Sequence, residues 1–430
     1  MMISPQQFDA RPISVCVVAG EASGDAQGAL LVRALRAELE KRGLRLSAWG
    51  SGGPLMKAAG VDTIVHIEEL SAMGFAEVMS VYPRISAAAH RLQNSIFLRR
   101  PQLTILIDYP GLNMRLMEDA FHLGSCVVYH IPPKIWAHGA ARVARLRDCT
   151  YLVTCILPFE EKLLRSAGVN AKFIGNPLKD EIVEYLSIKE KEHIPERDRS
   201  ICKVGLVPGS RSGEIERVFP VLVKAYVQTR RSFSGRLTAV VPVASTVRRN
   251  QLEKILTLVL SEENATEMRV DILLKEGSSL KSALFGCNYA WVCSGTAALE
   301  TALMTIPMSV VYRMHWLTYA IAKQIIHLPH VSLVNLCAGR EIVPEFIQHD
   351  AAVEKLSTHA LSILNSREKE HAMKSELLQL RDVFPESSAH QAAVAIVERY
   401  MQLPAEMTRR FHYKSACDLW HEEREWGLGR

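Results

Sequence analysis

The sequence has no G-x-G-x-x-G run opening a helix and no G-x-x-x-x-G-K-[ST], so neither a dinucleotide nor a nucleoside triphosphate finds its usual glycine-rich cradle. No Asp-x-Asp occurs, and the 15 histidines include no H-E-x-x-H or other clear metal spacing. The expectation is chemistry without a metal or an organic cofactor. Nine cysteines, at 16, 126, 149, 155, 202, 287, 293, 337 and 417, are odd in number, scattered and free of any C-x-x-C pair. They read as reduced core thiols, not as a zinc site or a disulfide framework. The longest apolar stretches, such as 151–157, fall far short of the roughly 18 residues a membrane span needs. No basic segment followed by an apolar h-region marks a secretory signal, so a cytoplasmic protein, soluble or peripheral to a membrane, is expected. The net charge of +5 is mild and dispersed. It suits an anionic membrane surface or a phosphorylated substrate and does not argue for nucleic acid.

What is present is enough for two cores. With 430 residues, 48% of them apolar, the chain suits two domains of about 150 to 200 residues each. Short apolar runs alternate with amphipathic helical stretches, the pattern of parallel sheets covered by helices on both faces. In the first half the expected strands are 13–19, 44–49, 103–108, 126–131, 151–157 and 171–174; in the second they are 202–207, 237–243, 270–274, 289–293 and 308–312. The charged segment 189–200, KEKEHIPERDRS, lacks an apolar period and contains Pro195, and is the expected linker. The domains are then 1–188 and 201–385, with a helix at 386–403 packing back on the first and a tail, 404–430, of no assigned role. The fold class is α/β: two facing Rossmann-like, doubly wound domains whose strand ends line an interdomain cleft.

Four turns carry candidate chemistry. VAGEASGD (18–25) ends a strand, shows Glu21 and Ser23 between two glycines, and starts a helix at Gly24. Its echo in the second domain, Pro208-Gly209-Ser210-Arg211, offers backbone N–H groups and a helix N-terminus to an anion, with Arg211 able to close on it. Ser294-Gly295-Thr296 suits a diphosphate in the same way, and Glu300, one turn further, is placed to accept both hydroxyls of a ribose. Asp108, in IDYPGLN (107–113), closes a strand too apolar to be exposed, so its carboxylate emerges at the strand's carboxyl end. Each turn also has a plainer reading as a helix or turn cap, and the residues taken singly leave both open. Two phosphate-type turns in one domain favour a nucleotide.

Several segments together resemble the lipid-A-disaccharide synthases, inverting glycosyltransferases of two Rossmann-like domains (the GT-B type). The matching stretches are VAGEASGD (18–25), GGPLMKAAG (52–60), EELSAMGFAEV (68–78), IDYPGLN (107–113), ILPFE (156–160), PGSRSGEIE (208–216), SGTAALE (294–300), PMSVVYRM (307–314) and VSLVNLCAGREIVPE (331–345). The resemblance implies transfer of 2,3-diacylglucosamine from its UDP derivative to the 6-hydroxyl of 2,3-diacylglucosamine 1-phosphate, giving the β(1-6)-linked lipid A disaccharide 1-phosphate and UDP. It makes Asp108 the favoured general base, with Glu21 its rival. Ser23 and Gly24 meet the sugars, and Ser210, Arg211, Ser294, Gly295, Thr296, Glu300 and Asn335 bind substrate. Because both substrates carry acyl chains, the resemblance also implies a partner membrane, the cytoplasmic face of the inner membrane. Met73 and Phe75, bordered by Arg84, Arg91, Arg99 and Arg100, are the candidate patch; a homodimer is allowed. The family's S-P-S-V-W-A-W is here Pro132-Pro133-Lys134-Ile135-Trp136-Ala137-His138, its G-H-P is Gly175-Asn176-Pro177, and Val334 stands where Pro is common. Another UDP-sugar enzyme of the same architecture, a 2-epimerase or a transferase with a different acceptor, is the alternative. A two-lobed binding protein is disfavoured by the lack of a signal, and a nicotinamide oxidoreductase by the lack of the dinucleotide fingerprint.

Overall fold

The structure, a computed structural model, describes residues 12–70, 78–134, 140–192, 201–244, 246–314 and 329–403. It divides into two compact units, one holding the chain up to Pro177 and again from Pro385, the other Leu178–Phe384.

The sheet of the first unit has seven parallel strands in the order β3-β2-β1-β4-β5-β6-β7. They are β1 (Ile13–Ala19), β2 (Leu46–Gly52), β3 (Val61–His66), β4 (Leu103–Ile107), β5 (Cys126–His130), β6 (Leu152–Cys155) and β7 (Ala171–Phe173). The central strands are apolar throughout because helices cover both faces. Along β1, Val15, Val17 and Ala19 enter one core while Cys16 and Val18 enter the other, the period-2 alternation of a strand. Helix α1 (Ala22–Glu40) lies on the first of these faces with Leu31 and Leu35 buried. The other helices that bear on the site are α2 (Pro54–Ala58), α3 (Val78–Arg99), α4 (Pro110–His122), α5 (Pro177–Lys191), α6 (Ser212–Ser232), α7 (Leu280–Leu284), α8 (Thr296–Leu303), α9 (Leu333–Ala338) and α10 (Ser388–Met401). Through Ala392, Ala393, Ile396 and Val397, α10 fills the same core as α1, so the end of the chain completes the first unit.

The second unit repeats the design with six parallel strands in the order β10-β9-β8-β11-β12-β13. These are β8 (Ile201–Val207), β9 (Arg236–Pro242), β10 (Ile272–Lys275), β11 (Tyr289–Cys293), β12 (Met308–Tyr312) and β13 (Glu345–Ile347). Its core gathers Val204 and Leu206 of β8, Phe219 and Tyr226 of α6, and Trp291 of β11.

The chain passes between units at Pro177/Leu178 and at Phe384/Pro385. Helix α5 continues through Lys191, past the start of the charged segment, because Lys and Glu are strong helix formers and Lys189 pairs with Glu192. Residues 193–200 lie outside the described ones, as does the tail 404–430.

Both strand orders reverse direction once, between β1 and β4 in one sheet and between β8 and β11 in the other. In open α/β sheets the crevice outside the carboxyl ends of two such strands is where ligands bind. The loops after β1, β4, β8 and β11 lie at these crevices and carry the motifs.

Candidate active site

At the first switch point the loops after β1 and β4 touch. A Cβ on Gly20 would lie 2.3 Å from the Tyr109 ring, so only glycine lets the two loops close on each other. Glu21 precedes α1 with extended backbone, uses no side-chain cap bond, and is exposed. Ser23 Oγ donates to Glu21 Oε1 at 2.6 Å. Gly24 is buried, with room for a Cβ only 3.3 Å from that of Ala19, which seats α1 closely on the sheet. The last residue of the motif faces inward: Asp25 is 2% exposed and accepts the N–H groups of Gly53, Leu55 and Met56 at 2.7, 3.0 and 2.9 Å, fixing the start of α2. Sequence reasoning did not single it out, although its position in the motif was visible.

Asp108 follows β4 at the same crevice and is half-buried. Burial raises its pKa above the ordinary carboxylate value, and the negative charge of Glu21 raises it further; the Tyr109 amide and the Lys134 ammonium oppose both. A carboxylate so placed is a stronger base than a free one. Lys134 is one of the departures from the family pattern, so that change sits beside the candidate base. His130, at the end of β5, is no rival. Burial takes its pKa down to about 4, and its Nδ1 lies 2.8 Å from Thr154 Oγ1.

The second switch point brings together the turns after β8 and β11. Gly209 has φ +103°, and a Cβ there would meet Glu214 Oε2 at 2.8 Å and Cys293 Sγ at 3.3 Å. Ser210 and Arg211 are exposed at the start of α6, and Arg211 Nη1 donates to Glu214 Oε1 at 2.9 Å. The first N–H groups of this helix and of α8 have no intrahelical partner, the arrangement that favours an anion at a helix N-terminus. Gly295, at φ +150°, adopts backbone that side-chain-bearing residues rarely reach, and places Thr296 exposed at the first turn of α8. Ser294 Oγ donates to Val331 O at 3.3 Å. Glu300, largely buried, accepts the Lys281 backbone N–H at 3.2 Å, and burial raises its pKa. It therefore caps α7 through one carboxylate oxygen.

Asn335 is placed differently. It is fully buried, its Nδ2 donates to Val343 O and Glu345 Oε1, both at 2.8 Å, and its Oδ1 accepts from the amides of Ile342 and Val343. Its hydrogen-bonding capacity is spent within the fold. Glu345, the last residue of the stretch 331–345, also accepts the Val331 and Ser332 amides at 2.8 and 2.9 Å. The Val334 N–H donates to Ser332 Oγ at 3.1 Å, a bond that the proline common there could not make. A cavity of about 620 Å³ beside the ends of β12 and β13, lined by Arg217, Arg313, Met314 and Gln348 among others, is a further feature that spacing did not reveal. Met73 and Phe75 lie outside the described residues.

The model of the family described as lipid-A-disaccharide synthetase matches residues 15–397. The chain belongs to that family. Among its relatives is the lipid-A-disaccharide synthase of Anaeromyxobacter dehalogenans, 34% identical over 396 residues, covering 90% of this chain and 97% of the relative. Another, from Syntrophus aciditrophicus, is 36% identical over 371 residues, covering 86% and 92%. As a lipid-A-disaccharide synthetase family member the protein is an enzyme, a glycosyltransferase of lipid A biosynthesis. The crystal structure of UDP-GlcNAc 2-epimerase from Neisseria meningitidis bound to UDP-GlcNAc has a TM-score of 0.54 at 11% identity, covering 91% of this chain and 99% of that one, a likeness of fold.

Proposed function

We propose that the protein transfers 2,3-diacylglucosamine from its UDP derivative to the 6-hydroxyl of 2,3-diacylglucosamine 1-phosphate, with Asp108 as the general base and UDP held by the second unit. The observation that carries this reading is a carboxylate of raised pKa at the first sheet's switch point, matched by paired helix N-termini and Arg211 at the second's. The direct test is a radiolabelled assay with the diacylated donor and acceptor against UDP-N-acetylglucosamine. Product from the acylated pair alone supports the reading; turnover of UDP-N-acetylglucosamine without acceptor sinks it in favour of an epimerase.

Arg211 and the Ser294–Gly295–Thr296 turn are assigned to the diphosphate and Glu300 to the ribose. Among the described residues the Glu300 side chain accepts only the Lys281 amide, through Oε1. Losing a charge-assisted contact costs about 1.5–3 kcal/mol, so Arg211→Ala and Glu300→Ala are each expected to weaken UDP binding by roughly tenfold or more in calorimetry. Native affinity in both variants would remove UDP from this turn. The Asn335 amide acts through the loop it ties together.

Among the described residues no helix is long and apolar enough to cross a membrane. We assign membrane contact to Met73 and Phe75 at the cytoplasmic face of the inner membrane, bordered by the arginines of α3. Arg84 is exposed; Arg91 pairs with Glu69, and Arg99 pairs with Asp62 and stacks over Trp49. A Met73→Ser/Phe75→Ser protein is expected to lose vesicle binding while its melting stays native. Unchanged flotation with anionic vesicles would place the contact elsewhere. Self-association to a homodimer is the other partner reading, and sedimentation velocity reads it out.

A further inference from the structure

The backbone that carries Asp108 is strained. Asp108 and Tyr109 have φ of +45° and +43°, two successive residues with Cβ atoms in the half of conformational space that crowds Cβ against the next carbonyl. Such a turn persists only where its surroundings over-determine it, and here they do so from four segments. The Asp108 N–H donates to His130 O of β5 at 2.9 Å. The Asp108 carbonyl accepts the Tyr129 hydroxyl of β5 at 2.8 Å and Nδ2 of Asn113 of α4 at 2.9 Å, and the same Nδ2 reaches Ile107 O at 3.0 Å. The Tyr109 ring seats on Gly20, and its hydroxyl donates to Leu70 O at 2.6 Å.

Tyr129 and Asn113 are both fully buried, so neither touches substrate. A phenylalanine would fill the core position of Tyr129 equally well; the bond its hydroxyl makes is to the carbonyl of the strained residue. A relaxed turn would spare that strain and re-aim the carboxylate. We infer that Tyr129 and Asn113 are positioning residues for the reaction, a clamp on the Asp108 carbonyl that fixes where its carboxylate points. The inference rests on the reading of Asp108 as the base.

Two charges act on that carboxylate, Glu21 after β1 and Lys134 after β5, and the Tyr109 amide in its own turn donates to it. Releasing the clamp lets the carboxylate move toward water, which lowers its affinity for a proton. Tyr129→Phe is therefore expected to cut kcat about tenfold with KM for both substrates and UDP affinity nearly native, and to move the acid limb of the kcat profile to lower pH. A Tyr129→Phe protein of native melting with native kcat and an unmoved acid limb overturns the inference. Should Tyr129→Phe melt far below the native protein, Asn113→Ala decides by the same readouts, since it removes the other donor to the Asp108 carbonyl. Asp108→Asn runs beside both. If it retains turnover, the assignment of the base fails; if it is inactive while the clamp variants are native, only the clamp fails.

Discussion

Asp108→Asn is expected to lower turnover at least about a hundredfold, because a positioned base contributes roughly a hundred- to ten-thousandfold to proton removal from a poor nucleophile. An inverting transfer needs the acceptor hydroxyl to attack the anomeric carbon in line as UDP leaves from the opposite face. The hydroxyl proton must go as the bond forms. Asparagine keeps the size and the Tyr109 amide contact but has no basicity, so UDP affinity is expected to stay native. Stability at neutral pH is expected not to fall. The folded pKa of Asp108 is raised, so its contribution to folding is favourable below the unfolded pKa and is lost as pH rises through the folded one; at neutral pH the ionised form is a burden the variant lacks. The same direction fixes the kinetics. Base catalysis requires the carboxylate, so kcat declines with falling pH through a midpoint above the ordinary Asp range. Glu21→Gln removes a like charge and is expected to move that midpoint downward. Near-native turnover in Asp108→Asn, with collapse in Glu21→Gln, would pass the role to Glu21 and leave Asp108 as a turn residue.

How much of this was legible in the sequence depends on where each residue sits. The interior strands announce themselves as apolar runs because both faces are covered, and β1, β4, β5, β8 and β11 fall where those runs are. The two strands missed, β3 and β13, are sheet edges. VDTIVH has only Val61 and Val65 buried, and EFI has three half-buried residues, so neither has a run to find. The turns at the switch points were legible as glycine and hydroxyl clusters after strands. Their backbone was not: nothing in IDYP foretells two positive φ values, since tertiary bonds from Tyr129 and Asn113 impose them against local preference. Asn335 shows the opposite limit. Its motif stood out, but a buried amide that binds Val343 and Glu345 looks in sequence the same as one that binds a ligand.

The motif VAGEASGD holds two carboxylates with opposite duties, and the inner one should dominate stability. Asp25→Ala is expected to destabilise the protein by about 3 kcal/mol or more, since hydrogen bonds to a charged group are worth about 1.5–3 kcal/mol each and three backbone donors lose their acceptor. The amides of Gly53 and Met56 are buried beside Asp25, so the truncation leaves buried donors without their acceptor. The loop wraps the carboxylate closely: a Cβ on Gly53 would lie 2.6 Å from Asp25 Oδ2 and 2.8 Å from Ile67 Cδ1. At roughly 2–4 °C per kcal/mol for a unit of this size, the melting point should drop on the order of 10 °C. Asp25→Asn should be little better, because its amide would turn one N–H donor toward another. Glu21→Ala, four residues earlier in the same eight-residue motif, is expected to leave melting nearly unchanged, for the Glu21 side chain is exposed and bonds only Ser23 among the described residues. Equal melting of Asp25→Ala and Glu21→Ala in a thermal scan would undo this division, and with it the claim that half of the motif builds the crevice and half of it faces the substrate.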